Sequence, residues 1–224
     1  IYGYFVLPES LDEKNRRPFD WKRANPVGAL RHLQRYPVIF GLVIPLVLTY
    51  IAGYATQSTW TYFTMEKFGW DEKWVGYSLA FVGLMAAIVQ GGLTRTVIPR
   101  LGNTKSIYWG LSLYALSFLL YAFADKGWMM FAITVMSALG GIATPALQAI
   151  MSNEVPPNEQ GELRGALTGL MSLTAIFGPI MMTSLFAYFT SPSAPVQFAG
   201  APFMMGAVLT VFSLVLVKKL LRKN

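Results

Sequence analysis

Polar and apolar positions in this chain segregate into long blocks. Six runs free of Asp, Glu, Lys, Arg and His cover residues 38–64, 74–94, 106–124, 128–151, 165–189 and 199–217. Each approaches or exceeds the ~20 residues that carry an α-helix across a bilayer's hydrocarbon core. Helices satisfy every backbone polar group internally, whereas open strands in lipid do not, and the period-two alternation of barrel strands is missing. The pattern predicts an all-α membrane protein with a six-transmembrane-helix bundle over 37–217. Its densest part runs from Gly127 to Thr190, where two apolar runs flank a polar tip (Asn153, Glu154, Asn158, Glu159, Gln160, Glu162, Arg164) and form a membrane hairpin.

The flanks differ in character. Residues 1–8 read as the last turns of a truncated preceding helix, so the chain is expected to be part of a longer polypeptide; no signal peptide is recognised. Residues 9–36 are a hydrophilic linker ending in a short amphipathic helix. Asn25 is its N-cap and Pro26 its first position. Val27, Leu30, Leu33 and Tyr36 lie on one face, with Arg31, His32 and Arg35 on the other, as in a helix lying at the interface. Residues 218–224 form a basic tail.

Composition strengthens the membrane reading. The 224 residues are 54% hydrophobic and 13% charged, against about 25% charged for soluble domains. The net charge of +7 is spread between apolar runs, unlike the clustered basic face of a nucleic-acid-binding protein. With no cysteine and one histidine, disulfides, thiolate catalysis and a Cys/His metal site are excluded. No nucleophile, base and orienting group occur together, and no phosphate loop is present, so neither an enzyme nor a nucleotide-driven pump is expected, and no cofactor.

Charge also orients the chain. Fifteen of the eighteen Lys and Arg residues fall in the leading linker, the second and fourth connections and the tail, leaving Lys67, Lys73 and Lys126 on the other side. The positive-inside rule places the fifteen, and both ends, in the cytoplasm. Trp60, Trp70, Trp74 and Trp128 then fall near the outer ends of their spans, where indoles favour the interface.

Candidate chemistry inside the spans is sparse. An intramembrane ionisable group marks a proton or ion route, and these runs contain none. The buried amides Gln57, Gln90 and Gln148 need partners, either neighbouring helices or a ligand. Pro45, Pro145 and Pro179 each remove a backbone bond and are candidate bends or hinges. Gly165 and Gly169, four apart, are a candidate close-packing pair; Gly140, Gly141, Gly161 and Gly178 are likewise read as structural.

A resemblance emerges from the connections. Arg95-Thr96-Val97-Ile98-Pro99-Arg100-Leu101-Gly102-Asn103-Thr104-Lys105 resembles the basic loop joining the second and third helices of each half in major facilitator transporters, with Arg95, Arg100, Gly102 and Lys105 as its basic and turn residues. Gly140-Gly141-Ile142 through Pro145-Ala146-Leu147-Gln148-Ala149, then Gln160-Gly161-Glu162-Leu163 with Gly165, and Ser172-Leu173-Thr174 to Gly178-Pro179, is similar to the tenth and eleventh helices of bacterial tetracycline-resistance transporters. Phe68-Gly69-Trp70-Asp71 and Gly127-Trp128-Met129 fit the same register. The resemblance spans essentially the whole chain and implies the C-terminal half of a twelve-helix drug/proton antiporter. Where members with tetracycline activity often carry an acid in the ninth helix, this chain has Tyr114, with Asp125 at the outer mouth.

In that architecture the first, second, fourth and fifth spans line a central cavity, and the third and sixth face lipid. The resemblance thereby implies a substrate wall of Tyr54, Gln57, Trp60, Met136, Thr144, Gln148, Met171 and Thr174, whose thioethers and rings suit amphipathic ligands. The function expected is proton-coupled efflux of amphipathic drugs or small molecules by alternating access in a bacterial inner membrane. Protons would be carried by the partner half, either a missing N-terminal six-helix half or a second copy of this chain. Metabolite uptake, or a non-transporting fragment that pairs with itself, are the alternatives.

Overall fold

The computed structural model describes residues 34–222. Expectations for residues 1–33, including the end of a preceding helix and most of the amphipathic linker, lie outside the described residues, as do the last two residues of the tail. Among the described residues every regular element is helical. Helix α1 spans Pro37–Phe68. Helix α2, Glu72–Ile88, passes through a π-turn at Val89–Leu93 into α3, Thr94–Leu101. Helix α4 is Asn103–Ala122. Helices α5, Gly127–Gly140, and α6, Ala143–Asn153, make up one broken span. A 3₁₀ turn at Pro157–Glu159 leads into α7, Gln160–Thr190, and α8 is Ala201–Leu221.

Five of these stretches are long and apolar enough to cross a membrane: α1, α2 with α3, α5 with α6, α7 with its leading turn, and α8. The chain is a multi-pass membrane protein. Helix α4, the third predicted run, is 20 residues long, enough for about 30 Å at 1.5 Å per residue. It is less apolar because Lys105, Ser106, Tyr108, Ser112, Tyr114, Ser117 and Tyr121 lie along it. Nor is it confined to a lipid face. It packs against α8, α5 and α6, burying Ile107, Leu111, Phe118 and Tyr121, while α2 and α7 are the least covered spans.

Local chemistry explains the boundaries. Helix α1 stops at Gly69, whose φ of 64° suits glycine; its N–H bonds the Met65 carbonyl at 3.0 Å. Two residues later the Asp71 side chain accepts the Trp74 N–H at 2.9 Å and caps α2. Pro145 cannot donate to the carbonyl four residues back, and the fourth span is interrupted there, at Gly141–Ile142. Pro45 is tolerated inside α1. Its carbonyl accepts from Thr49 Oγ1 at 2.8 Å and from Ser213 Oγ of α8 at 2.9 Å, tying the two helices together. The region expected to be a basic loop is helical through Arg95 and Arg100 as far as Leu101. Only Gly102, at φ 79°, turns the chain before α4 begins.

The core has two parts. An aliphatic cluster around Ile39, Leu42, Leu46, Leu111, Leu147 and Leu163 fills the end near the chain's start. An aromatic cluster around Phe63, Phe118, Tyr121, Met130 and Phe203 fills the other. Trp60 belongs to the second cluster. It is 2% exposed, donates Nε1–H to Ser78 Oγ at 2.9 Å and meets the Tyr121 ring edge-on at 5.4 Å. The expectation of an interfacial indole is therefore corrected at Trp60, because Ser78 supplies inside the bundle the partner that water would supply outside. Trp74 and Trp128 are exposed, and Trp70 stacks between Phe68 and Phe131.

Candidate functional site

Between the two clusters the wall of the bundle turns polar. In α1 the aliphatic cluster ends at Leu46 and the aromatic one begins at Ala52; Thr49, Tyr50, Gly53 and Gln57 occupy this level and face Gln90, Tyr114, Thr144 and Gln148 across a cavity of about 400 Å³. A second chamber of about 240 Å³ shares Gly53, Gln57, Gln90, Tyr114 and Gly141 with it and runs on to Tyr121, Thr134 and Ser137. The lining sets hydroxyl and amide side chains beside apolar Val82, Ala86, Ala138 and Pro145, without a charged side chain. Such a wall binds through directional hydrogen bonds and leaves the remaining surface to apolar contact.

Irregular backbone opens this space. The π-turn carries Gln90 into both chambers, and Thr94 Oγ1 closes the turn by donating to the Val89 carbonyl at 2.8 Å. The break at Gly141 exposes that residue and Thr144 to the same space. Single π-turns within α-helices are frequent at functional sites.

Three side chains from three helices form a chain at the mouth. Arg164 of α7 donates to Gln148 Oε1 at 3.2 Å, and Gln148 Nε2 of α6 donates to the Tyr50 hydroxyl of α1 at 2.8 Å. Near that end Arg35 forms an ion pair and hydrogen bond with Glu159 in the turn before α7, and Tyr36 donates to the same carboxylate at 3.0 Å. The bond to Glu159 raises the Arg35 pKa. Burial, seconded by that carboxylate, raises the Tyr36 pKa, so Tyr36 stays a neutral donor. This joins the linker's last residues to the hairpin tip. At the opposite end Lys67 lies 3.5 Å from Asp125, an exposed pair of small energetic weight.

Of the residues expected to form the substrate wall, Gln57, Thr144 and Gln148 line the cavity, with Pro145 beside them. The others stand elsewhere. Tyr54 lays its ring against α7 at Gly178. Trp60 is buried in the aromatic cluster and Met136 packs against it. Met171 is exposed on α7. Thr174 is buried, bonding the Met171 carbonyl at 2.8 Å. Gly165 has nothing within 4 Å of the space its Cβ would take, Gly169 is half-buried, and Pro179 sits within an unbroken α7. Arg95, in the first turn of α3, and Arg100, Gly102 and Lys105, around the α3–α4 turn, are all exposed. Tyr50, Thr94 and Arg164 were missed. The signal available was Arg164's place one residue before an apolar run, since α7 starts at Gln160 and brings that arginine to Gln148.

The family follows from the whole chain. A family model described as Major Facilitator Superfamily matches residues 1–179 and again 96–224. The chain belongs to the Major Facilitator Superfamily. That is a family of transporters rather than of enzymes. It is similar to the class C tetracycline resistance protein of Escherichia coli, 34% identical over 209 residues, covering 93% of this chain and 51% of that protein. The class G tetracycline resistance protein of Vibrio anguillarum is 34% identical over 191 residues, covering 85% and 46%. A human protein, hippocampus abundant transcript-like protein 1, is 26% identical over 227 residues, covering 93% and 45%. The chain spans about half the length of these relatives.

Proposed function

We propose that this chain is one six-helix half of a proton-coupled exporter of amphipathic small molecules, completed by a second six-helix bundle. The observation carrying this reading is the uncharged polar cavity at mid-length of α1, bounded by the π-turn of the second span and the break in the fourth. A site at the middle of the membrane, built where helices are interrupted, is what alternating access requires. The apolar exposure of α2 and α7, including Tyr77, Leu84, Leu173, Ile176 and Phe177, supports a partner bundle across the open cavity. The similarity to tetracycline resistance proteins supports outward drug transport from a bacterial inner membrane. With both ends cytoplasmic, the Arg35–Glu159 contact lies on the inner side. Because the lining holds no carboxylate, the driving proton is assigned to the partner bundle.

Cells expressing the full protein that contains this chain are expected to accumulate less tetracycline or ethidium than control cells, with the difference abolished by a protonophore. Equal accumulation with and without the protein, or greater accumulation that the protonophore prevents, contradicts efflux.

A further inference from the structure

The two irregular segments that open the polar cavity also have an apolar back. Leu93 ends the π-turn and Ile142 sits in the break of the fourth span. With Val97 and Leu101 of α3 and Trp109 and Leu113 of α4, they line a separate crevice of about 190 Å³. The Ser106 hydroxyl in its wall already donates to the Gly102 carbonyl at 2.8 Å. The other named walls are aliphatic or indole, a lining that suits hydrocarbon and penalises an unpaired polar group. Leu116 and Leu120, both exposed, continue the Trp109–Leu113 face along α4 at helical spacing.

The mouth of this crevice is basic. Arg100 and Lys105, both exposed, each precede a lining residue, Leu101 and Ser106. Among the described residues neither cation pairs with a carboxylate, and between Glu72 and Asp125 the sequence contains no acid. Trp109 is exposed about two turns from the start of α4, close to the level where indoles meet headgroups. Uncompensated cations beside a hydrocarbon-lined crevice complement a molecule that carries both an acyl chain and an anionic headgroup.

We infer that the crevice holds an acyl chain of an anionic phospholipid, with Arg100 and Lys105 gripping the headgroup phosphate. The site is distinct from the polar cavity and does not depend on the transport reading. A zwitterionic lipid has the same chains but brings its own cation to the basic mouth, and is disfavoured there.

The test uses the full protein in vesicles of phosphatidylglycerol and phosphatidylcholine with matched chains, brominated on one lipid and then on the other. Bromine quenches a tryptophan that the chain touches, and the part of the quenching lost in Trp109→Phe belongs to Trp109. That part is expected to show phosphatidylglycerol bound at least about fivefold more tightly than phosphatidylcholine, the scale of one Lys or Arg beside an anionic headgroup. Arg100→Gln combined with Lys105→Gln, at exposed positions, should erase the preference while either lipid still quenches Trp109. Val97→Phe, which fills the crevice from its half-buried wall, should reduce the preference because no lodged chain then anchors the headgroup. Equal binding of the two lipids by the wild type, or a preference that survives loss of both cations or filling of the crevice, overturns the inference. Relief of the phosphatidylglycerol quenching by inorganic phosphate at constant ionic strength would assign the basic turn to free phosphate, and overturns it too.

Discussion

Replacing Gly110 by leucine is expected to remove most of the folded protein, and replacing it by alanine to lower the unfolding temperature. A Cβ at this position would lie 2.7 Å from the Ala143 backbone nitrogen and 2.8 Å from its Cβ. Backbone cannot swing aside as a side-chain tip does, so α4 and α6 must separate. Overpacking by a methyl or two costs about 1–3 kcal/mol in a well-packed core, and leucine exceeds that allowance. Gly140 makes the reciprocal contact, its Cβ site lying 2.9 Å from the Tyr114 nitrogen, so the two glycines set the crossing of α4 with the broken fourth span. Gly53→Ala is the control. Its nearest neighbours would be 3.8 Å away, at ordinary contact, and alanine favours the helix by about 1 kcal/mol. Thermal unfolding followed by size-exclusion chromatography reads all three, and wild-type stability for Gly110→Leu contradicts the packing described.

That crossing shows how much the sequence discloses. The apolar blocks located the helices to within a few residues at most ends, five of them in stretches long and apolar enough to cross a membrane, because lipid demands long uncharged helices whatever they pack against. Which small residues bring helices together was not legible. Gly165 and Gly169 have the familiar spacing, yet Gly165 faces open space within this chain, whereas Gly110 and Gly140 lie in different helices and share no spacing at all. The candidate site divides in the same way. Gln57 and Gln148 were legible because an amide in an apolar run requires a partner, and Thr144 followed from the resemblance. Tyr50 and Arg164 were not, because their roles depend on α7 beginning five residues before the uncharged run and on the direction in which Gln148 is turned. The π-turn left only the trace Gln90-Gly91-Gly92, which reads equally well as a packing face.

Trp60→Ala is expected to cost about 3–5 kcal/mol, the range for truncating a fully buried aromatic side chain. The indole fills the junction of α1, α2 and α4. Its loss leaves a cavity beside Tyr121 and removes the bond to Ser78. Trp60→Phe keeps the ring but not the donor and should cost less, about 1 kcal/mol for the bond plus the smaller void. Trp74→Ala, at an exposed position, should change stability little. Unfolding in mixed detergent micelles ranks the three. A Trp60→Ala variant within about 1 kcal/mol of wild type, well below the truncation range, would return Trp60 to the role of interfacial anchor.

The account turns on the polar level between the two core clusters being a water-accessible substrate cavity. This chain has no cysteine, so single cysteines placed at Gln57, Gln90 and Thr144 of the full protein, with cysteines elsewhere replaced, report on it directly. A membrane-impermeant maleimide should label all three, substrate should slow that labelling, and a cysteine at Phe212, exposed on the α8 surface, should stay unlabelled in the bilayer. Labelling at Phe212 with none at Gln57, Gln90 and Thr144 would contradict the account.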